Sequence, residues 1–168
     1  GEWEESRDGD EVLQIGIGRL PAINYAEANE MVEKIIRYET NPIRSPKSSS
    51  VTFLADDGDN NIHVRDAEIH SKYLSENHPE FSQNKLYLDK FEQEKSGTSQ
   101  SSPQTKSALE KTLDEGTLLL NFIGHGNETT LTAEEIFKVS DISDWPKQDQ
   151  LALWVTATCE FGRHDSPF

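Results

Sequence analysis

The chain has 168 residues, of which 33% are hydrophobic, and a mean hydropathy of −0.73; it is long enough for one domain, or part of a larger one, with a real core. Its formal net charge of −15 argues against nucleic acid and anionic membrane surfaces as partners, because both need clustered Lys and Arg. The single cysteine, Cys159, excludes an internal disulfide framework, and no apolar run of about 18 residues is present to cross a membrane. No signal peptide is visible at Gly1, which by itself says little about localisation.

Gly1 to Asp10 reads as a polar loop and Val12 to Gly18 as a strand with glycines towards its end. Pro21 biases Leu20 to an extended form. Asn24, with Glu27 three residues on, has the pattern of a capping box, and Ala28, Met31, Val32, Ile35, Ile36 and Tyr38 recur at helical spacing up to about Thr40. Asn41 to Ser50 is a Pro- and Ser-rich loop, and Val51 to Ala55 a strand that runs into the acidic turn Asp56–Asn61. A helix is expected from about Val64 to Glu76 and a short strand over Lys85–Leu88. Glu92 to Thr105 is poor in apolar residues and is expected to be a mobile excursion. Lys106–Glu115 reads as a helix feeding the apolar stretch Thr117–Gly126. Thr132 is expected to cap a further helix through Glu135, ending near Lys138. Asp141–Asp149 then leads to the apolar run Leu151–Ala157.

Strand and helix thus alternate, which predicts an α/β fold with right-handed crossovers and a mostly parallel central sheet between helices. In such sheets ligands bind beyond the carboxyl ends of the strands. The acidic turn after Ala55, the Gly124-His125-Gly126 turn and Cys159 all fall at strand carboxyl ends. The two glycines remove side-chain bulk on either side of one imidazole and are expected to let the backbone turn sharply. If the two apolar strands are neighbours, His125 can lower the Cys159 pKa by ion pairing, and the N–H groups of Gly126 and Cys159 are candidate donors to a tetrahedral oxyanion. The bland alternative for Cys159 is a small buried hydrophobe.

The segment Asn121-Phe122-Ile123-Gly124-His125-Gly126-Asn127-Glu128-Thr129 is followed, 34 positions after the histidine, by Cys159 within Trp154-Val155-Thr156-Ala157-Thr158-Cys159-Glu160-Phe161-Gly162. Together they resemble the gingipain family of caspase-like cysteine peptidases. Gly16 to Ala22 and Glu33 to Glu39 resemble the opening of that family's catalytic subdomain. Leu54 to Asn61 and Ala157 to Asp165 look most like the C-terminal signal peptidases and sortases of the type IX secretion system. The resemblance implies a caspase-like three-layer sandwich, with His125 as general base, Cys159 as nucleophile and a peptide acylated onto Cys159. Water would then give hydrolysis, and an amine on a lipopolysaccharide acceptor would give transpeptidation. The family's acidic third member does not carry over to a single residue; Asp59 is the first candidate and Asp57 the next. The partners implied are C-terminal signal segments of secreted proteins and other secretion-system subunits, at the outer membrane and cell surface of a Gram-negative bacterium. Against the family's extent, residues 1–168 correspond to the second, catalytic subdomain, and a fragment inactive in isolation is expected. The competing class is a non-catalytic scaffold or binding module within a secretion complex.

No cofactor is required by this chemistry. The oxygen ligands Asp57, Asp59 and Asn61 are candidates for Ca²⁺, although the spacing is not that of an EF-hand loop and a solvated turn is the ordinary reading. His63, His70 and His78 lack zinc spacing and are read as surface residues, and His164 as a loop hydrogen-bonding group. Trp154 is assigned to the core and Trp145-Pro146 to a turn anchor. Gly16-Ile17-Gly18 lacks the third glycine of a dinucleotide fingerprint and opens no helix directly.

Overall fold

A computed structural model of the chain describes residues 16–40, 47, 49–97, 99–145 and 150–163. The chain divides into two compact units, Gly1–Arg37 and Tyr38–Phe168. Of the expected first strand, Val12–Ile15 lie outside the described residues and Gly16–Gly18 carry no strand. Helix α1, Tyr25–Thr40, begins as the sequence predicts: Asn24 Oδ1 accepts from Glu27 N–H at 2.9 Å, and Glu27 Oε2 reaches back to Ile23 N–H at 3.1 Å.

The second unit is built on a parallel sheet. Strand β1 (Ser50–Ala55) is buried along its whole length. Helix α2 (Gly58–Asn77) leads to β2 (Ser82–Tyr87), and a hairpin of β3 (Glu94–Ser96) and β4 (Ser99–Ser101) precedes α3 (Pro103–Glu115). Strand β5 (Leu119–Ile123), the hairpin β6 (Thr130–Leu131) and β7 (Phe137–Lys138), and β8 (Leu153–Ala157) complete the order. The four long strands lie in the order β2-β1-β5-β8, every neighbouring pair parallel.

Side-chain alternation along the strands separates two cores. Val51, Phe53, Ala55 and Ile123 face α2, where Ala67, Val64 and Leu74 meet them. Leu54, Leu120 and Phe122 face α3 through Leu109 and Leu113, and this core continues into Leu131, Ile136 and Phe137 of the β6–β7 hairpin. Each large side chain removed from water here contributes up to about 1.5–3 kcal/mol. The result is the helix–sheet–helix sandwich expected from the alternation. From β1 the chain passes to β2 on one side and later to β5 on the other. The crevice between the carboxyl ends of β1 and β5 is therefore the topological switch point, where open α/β sheets bind ligands.

Two expectations change. Helix α2 is not one of them: within Gly58–Asn77 the residues Asp59, Asn60 and Asn61 take left-handed conformations (φ 53°, 56° and 60°), so the acidic turn leads into regular right-handed helix only beyond Asn61, close to the expected start at Val64. Asp and Asn tolerate this region better than most residues. Glu92–Thr105 is not an irregular excursion. It forms the β3–β4 hairpin, held by Ser102 Oγ donating to Glu92 O (3.1 Å) and by the start of α3. No helix follows Thr132: Thr132 and Glu135 have φ of 62° and 52°, and Glu135 N–H closes a turn on Thr132 O. Burial of Ile136 and Phe137, with the pairing of Leu131 and Phe137, overrides the capping pattern. Pro146–Asp149 lie outside the described residues, and Trp145 packs on Phe137 with centroids 5.1 Å apart. Trp154 joins the same cluster at 5.3 Å, as expected of a core residue.

Candidate active site

Strands β5 and β8 are paired so that Ile123 lies beside Ala157, and Gly124 N–H still reaches Ala157 O at 3.3 Å. Two residues further along each strand stand His125 and Cys159. The run of β5 is largely buried, whereas β8 lies at the sheet edge with Leu153 and Val155 exposed, and each delivers its chemical residue to the same edge at the same register.

His125 is fixed at three points. Its backbone N–H donates to Asp56 Oδ2 (3.0 Å), its carbonyl accepts from Thr132 N–H (2.9 Å), and its ring Nε2 lies 3.0 Å from Asp59 Oδ2. The flanking glycines have no left-handed φ, so backbone freedom is not why they are there. A Cβ on Gly124 would lie 2.4 Å from Asp56 Cβ, and one on Gly126 would lie 2.5 Å from Thr158 Oγ1. They are glycines because two neighbouring chain segments pass against them. Gly58 does the same beneath the imidazole, where a Cβ would sit 3.2 Å from His125 Cδ2.

The acid question left open by the sequence is separated by geometry. Asp56, 3% exposed, ends β1 and holds backbone: the His125 N–H and, through Oδ1, the Asp57 N–H at 2.9 Å. Asp59 reaches the ring. Asp57 turns away, its Oδ2 accepting from Gln93 Nε2 at 2.5 Å. With Asp59 accepting from Nε2–H, the neutral imidazole presents Nδ1 as its free base.

His63, expected at the surface, stands instead in the site. It lies four residues after Asp59, beyond the left-handed turn, its side chain is only 16% exposed, and its ring meets that of His125 edge to face at a centroid distance of 5.0 Å. Its Nε2 is 3.8 Å from Asp59 Oδ2 and has no hydrogen-bond partner. No sequence pattern points to it, because the left-handed turn at Asp59–Asn61, and not helical i, i+4 spacing, brings Asp59 and His63 together. His70 and His78 are exposed as expected, and His164 lies outside the described residues.

Cys159 is exposed and unpaired with any other thiol. The loop that carries it is tied back to the protein by Phe161 packing on Phe137 (5.8 Å) and by Arg163, whose Nη1 lies 3.5 Å from Glu128 Oε1 in the histidine loop. The Gly126–Leu131 bridge is made by its neighbours, Asn127 N–H to Thr130 O and Thr132 N–H to His125 O, so the ladder leaves the Gly126 N–H unused. The arrangement offers a thiol, an imidazole oriented by a carboxylate, and a backbone donor, the elements of nucleophilic acyl transfer.

The suggested calcium ligands do not converge as a set: Asp57 faces Asp56, Asp59 faces His125 and Asn61 is exposed. Two other groups do bring one donor atom from each member within 4.8 Å of the rest: Asp56, His63 and His125, and Asp56, Asp57 and Glu134.

Comparison with known proteins gives two findings. The profile of peptidase family C25 matches residues 4–168. Among solved structures, the chain is similar to the Arg-specific cysteine proteinase gingipain R, with a TM-score of 0.64 and 16% identity; the match covers 88% of this chain and 32% of that one. At that identity the likeness establishes a shared fold, the caspase-like sandwich, and the chain spans about a third of the gingipain R chain. No curated protein sequence matches.

Proposed function

The chain belongs to peptidase family C25, and from that premise we propose that it carries the Cys159–His125 centre of a cysteine peptidase, with Asp59 as the orienting acid. The observation that carries the proposal is the pairing of β5 with β8, which sets His125 and Cys159 at equal distance beyond Ile123 and Ala157, together with the 3.0 Å contact from His125 Nε2 to Asp59.

In the proposed reaction His125 Nδ1 takes the Cys159 proton, and the thiolate attacks the peptide carbonyl carbon. The N–H groups of Gly126 and Cys159 receive the oxyanion. The imidazolium, stabilised by Asp59, gives its proton to the leaving amine as the C–N bond breaks, leaving a thioester on Cys159. Attack by water releases an acid and completes hydrolysis; attack by an amine completes transpeptidation. Asp59 holds the ring in the tautomer that leaves Nδ1 basic, as the triad logic requires.

The finer reading follows the likeness of Leu54–Asn61 and Ala157–Asp165 to PorU, the C-terminal signal peptidase and sortase of the type IX secretion system. On it, the whole protein removes C-terminal signal segments at the outer surface of a Gram-negative cell and passes the acyl group to a lipopolysaccharide amine, working beside other secretion subunits. The test is the processing of a C-terminal signal segment by the full-length protein carrying Cys159→Ala. Loss of processing with an unchanged melting temperature is expected. Normal processing would remove Cys159 from the mechanism and favour a scaffold role within the secretion complex. Cleavage of general peptides but not signal segments would keep the peptidase and discard the finer reading.

A further inference from the structure

Beside the thiol, base and acid, the carboxyl edge of the sheet holds a further ring to which the proposed reaction gives no task. His63 reaches the site from beyond the left-handed turn that carries Asp59. Its side chain is 16% exposed, and its ring stands on that of His125 with an interplanar angle of 88° and a centroid distance of 5.0 Å. A leucyl or phenyl side chain would fill such a place without bringing a polar atom into it. His63 brings Nε2, which is buried and has no hydrogen-bond partner. A buried ring nitrogen left unpaired destabilises the fold, so packing alone does not account for a histidine here.

Two carboxylates lie near the pair of rings. Asp56 has an oxygen within 4.8 Å of a nitrogen of each histidine, but it is already committed: Oδ2 accepts from the His125 backbone N–H and Oδ1 from that of Asp57. Asp59 is placed differently. Its Oδ2 lies 3.0 Å from His125 Nε2 and 3.8 Å from His63 Nε2, so one oxygen faces both imidazoles. The Asp59 side chain is 64% exposed. A carboxylate so open to water is poorly held by a single contact, because solvent competes for it and fixing one rotamer costs entropy. A second N–H aimed at the same oxygen would keep it on His125. The 3.8 Å separation is just beyond hydrogen-bond reach, and contacts of this kind commonly stand long in the unliganded enzyme and tighten with substrate.

We propose that His63 is a positioning residue for the thiol–imidazole centre: with its proton on Nε2 it donates to Asp59 and so keeps that carboxylate on His125 Nε2. The inference rests on the reading of Asp59 as the acid that orients His125. In this role His63 acts through Asp59 and not on the peptide or the thiol. No proton passes to it; the step remains the transfer of the Cys159 proton to His125 Nδ1, and the His63 N–H stays on its ring throughout. Loss of that donor lets Asp59 leave His125, which weakens the imidazolium and with it the Cys159 thiolate. Removing the nitrogen therefore costs reactivity and not stability, the pattern of a polar group kept at a functional site against the interest of the fold.

The test is alkylation of Cys159 by iodoacetamide in the full-length protein, in chelator and as a function of pH. The Cys159 peptide is quantified by mass spectrometry and thermal melting is run in parallel. His63→Leu is expected to slow alkylation at neutral pH by about three- to tenfold and to move the profile to higher pH, with the melting temperature unchanged or raised. His63→Phe, a ring without nitrogen, is expected to match it and covers the case in which His63→Leu folds poorly. His63→Gln, which keeps a side-chain N–H, is expected to recover most of the loss. Adding His63→Leu to Asp59→Ala is expected to slow alkylation no further, because both remove one restraint. Wild-type profiles in His63→Leu and His63→Phe, with His125→Ala still slowed, would overturn the inference and leave the proposed centre standing. Additive losses in the double variant would also overturn it, since His63 would then act by a route that bypasses Asp59. Slowing in all three His63 variants alike, with a matching fall in melting temperature, would make His63 a packing residue only. Equal rates in the wild type and His125→Ala would remove the centre itself, and the inference with it.

Discussion

Both ends of the central sheet are polar, and they treat their polar groups in opposite ways. At the amino end, the buried residues Ser50, Thr52 and Thr117 close on one another: Thr52 Oγ1 and Thr117 Oγ1 are 3.0 Å apart, Ser50 Oγ is 3.3 Å from Thr117 Oγ1, and Thr117 Oγ1 donates to Ser50 O at 3.1 Å. At the carboxyl end, His63 Nε2 and Thr158 Oγ1 are buried with no partner. Leaving such a group unsatisfied costs about 1–3 kcal/mol. A sheet that can satisfy its polar groups at one end and leaves them open at the other has one end made for stability. Its other end is made to receive something, which is where the switch point, His125 and Cys159 also lie.

Substitutions at the two ends should therefore fail differently. The largest effect is expected from His125→Ala in the full-length protein, which should lower the cleavage rate by at least ~10³-fold with little change in melting temperature, since removing a base from a base–nucleophile unit disables the unit. Asp59→Asn should follow, at about 10²–10⁴-fold in kcat/KM, because it orients the ring without itself reacting. Its neighbour makes the informative contrast: Asp56→Asn weakens the acceptor for His125 N–H, and should cost about 1–3 kcal/mol of stability by denaturant titration. Thr117→Val at the amino end should cost a similar ~1–3 kcal/mol, read in the same titration, while the reactivity of Cys159 stays as it was. Activity loss from Thr117→Val without a change in stability would erase the distinction between the ends.

The smallest effect tests an ion pair that belongs to neither end. Lys85 Nζ lies 2.8 Å from Glu68 Oε1 on the surface of α2, and its hydrogen bond holds the Glu68 carboxyl below the ordinary range. A depressed carboxylate stabilises the fold above its unfolded pKa of about 4.3 and loses that contribution as pH falls through the lower folded value. The pair is half-exposed, so Glu68→Gln should flatten the acid limb of the stability–pH curve by no more than ~0.5 kcal/mol.

The sequence makes the sheet legible because β1, β5 and β8 are short apolar runs bounded by turn residues, and their carboxyl ends carry the only chemistry that alternation would gather at one edge. The placement of His125 and Cys159 two residues beyond the paired Ile123 and Ala157 follows from that pattern. What the sequence hides is set by contacts between distant segments. Gly124 and Gly126 read as turn residues, yet their constraint is the close passage of Asp56 and Thr158, to which no local pattern points. Asp59 and Asp57 look interchangeable until the left-handed turn at Asp59–Asn61 aims one at the imidazole and leaves the other to Gln93. Glu134 is concealed by its neighbours, because Thr132 and Glu135 have the spacing of a capping box while the burial of Ile136 and Phe137 imposes a hairpin.

The pairing of thiol and imidazole can be measured on the chain itself, without knowledge of its substrate. Cys159 is the only cysteine, so the rate of alkylation by iodoacetamide at neutral pH reports one site. A thiolate supported by His125 should be alkylated about tenfold or more faster in the wild type than in His125→Ala, since reactivity follows the thiolate fraction. Equal rates in the two proteins, both at the level of a free cysteine, would contradict the pairing and with it the catalytic reading of this edge.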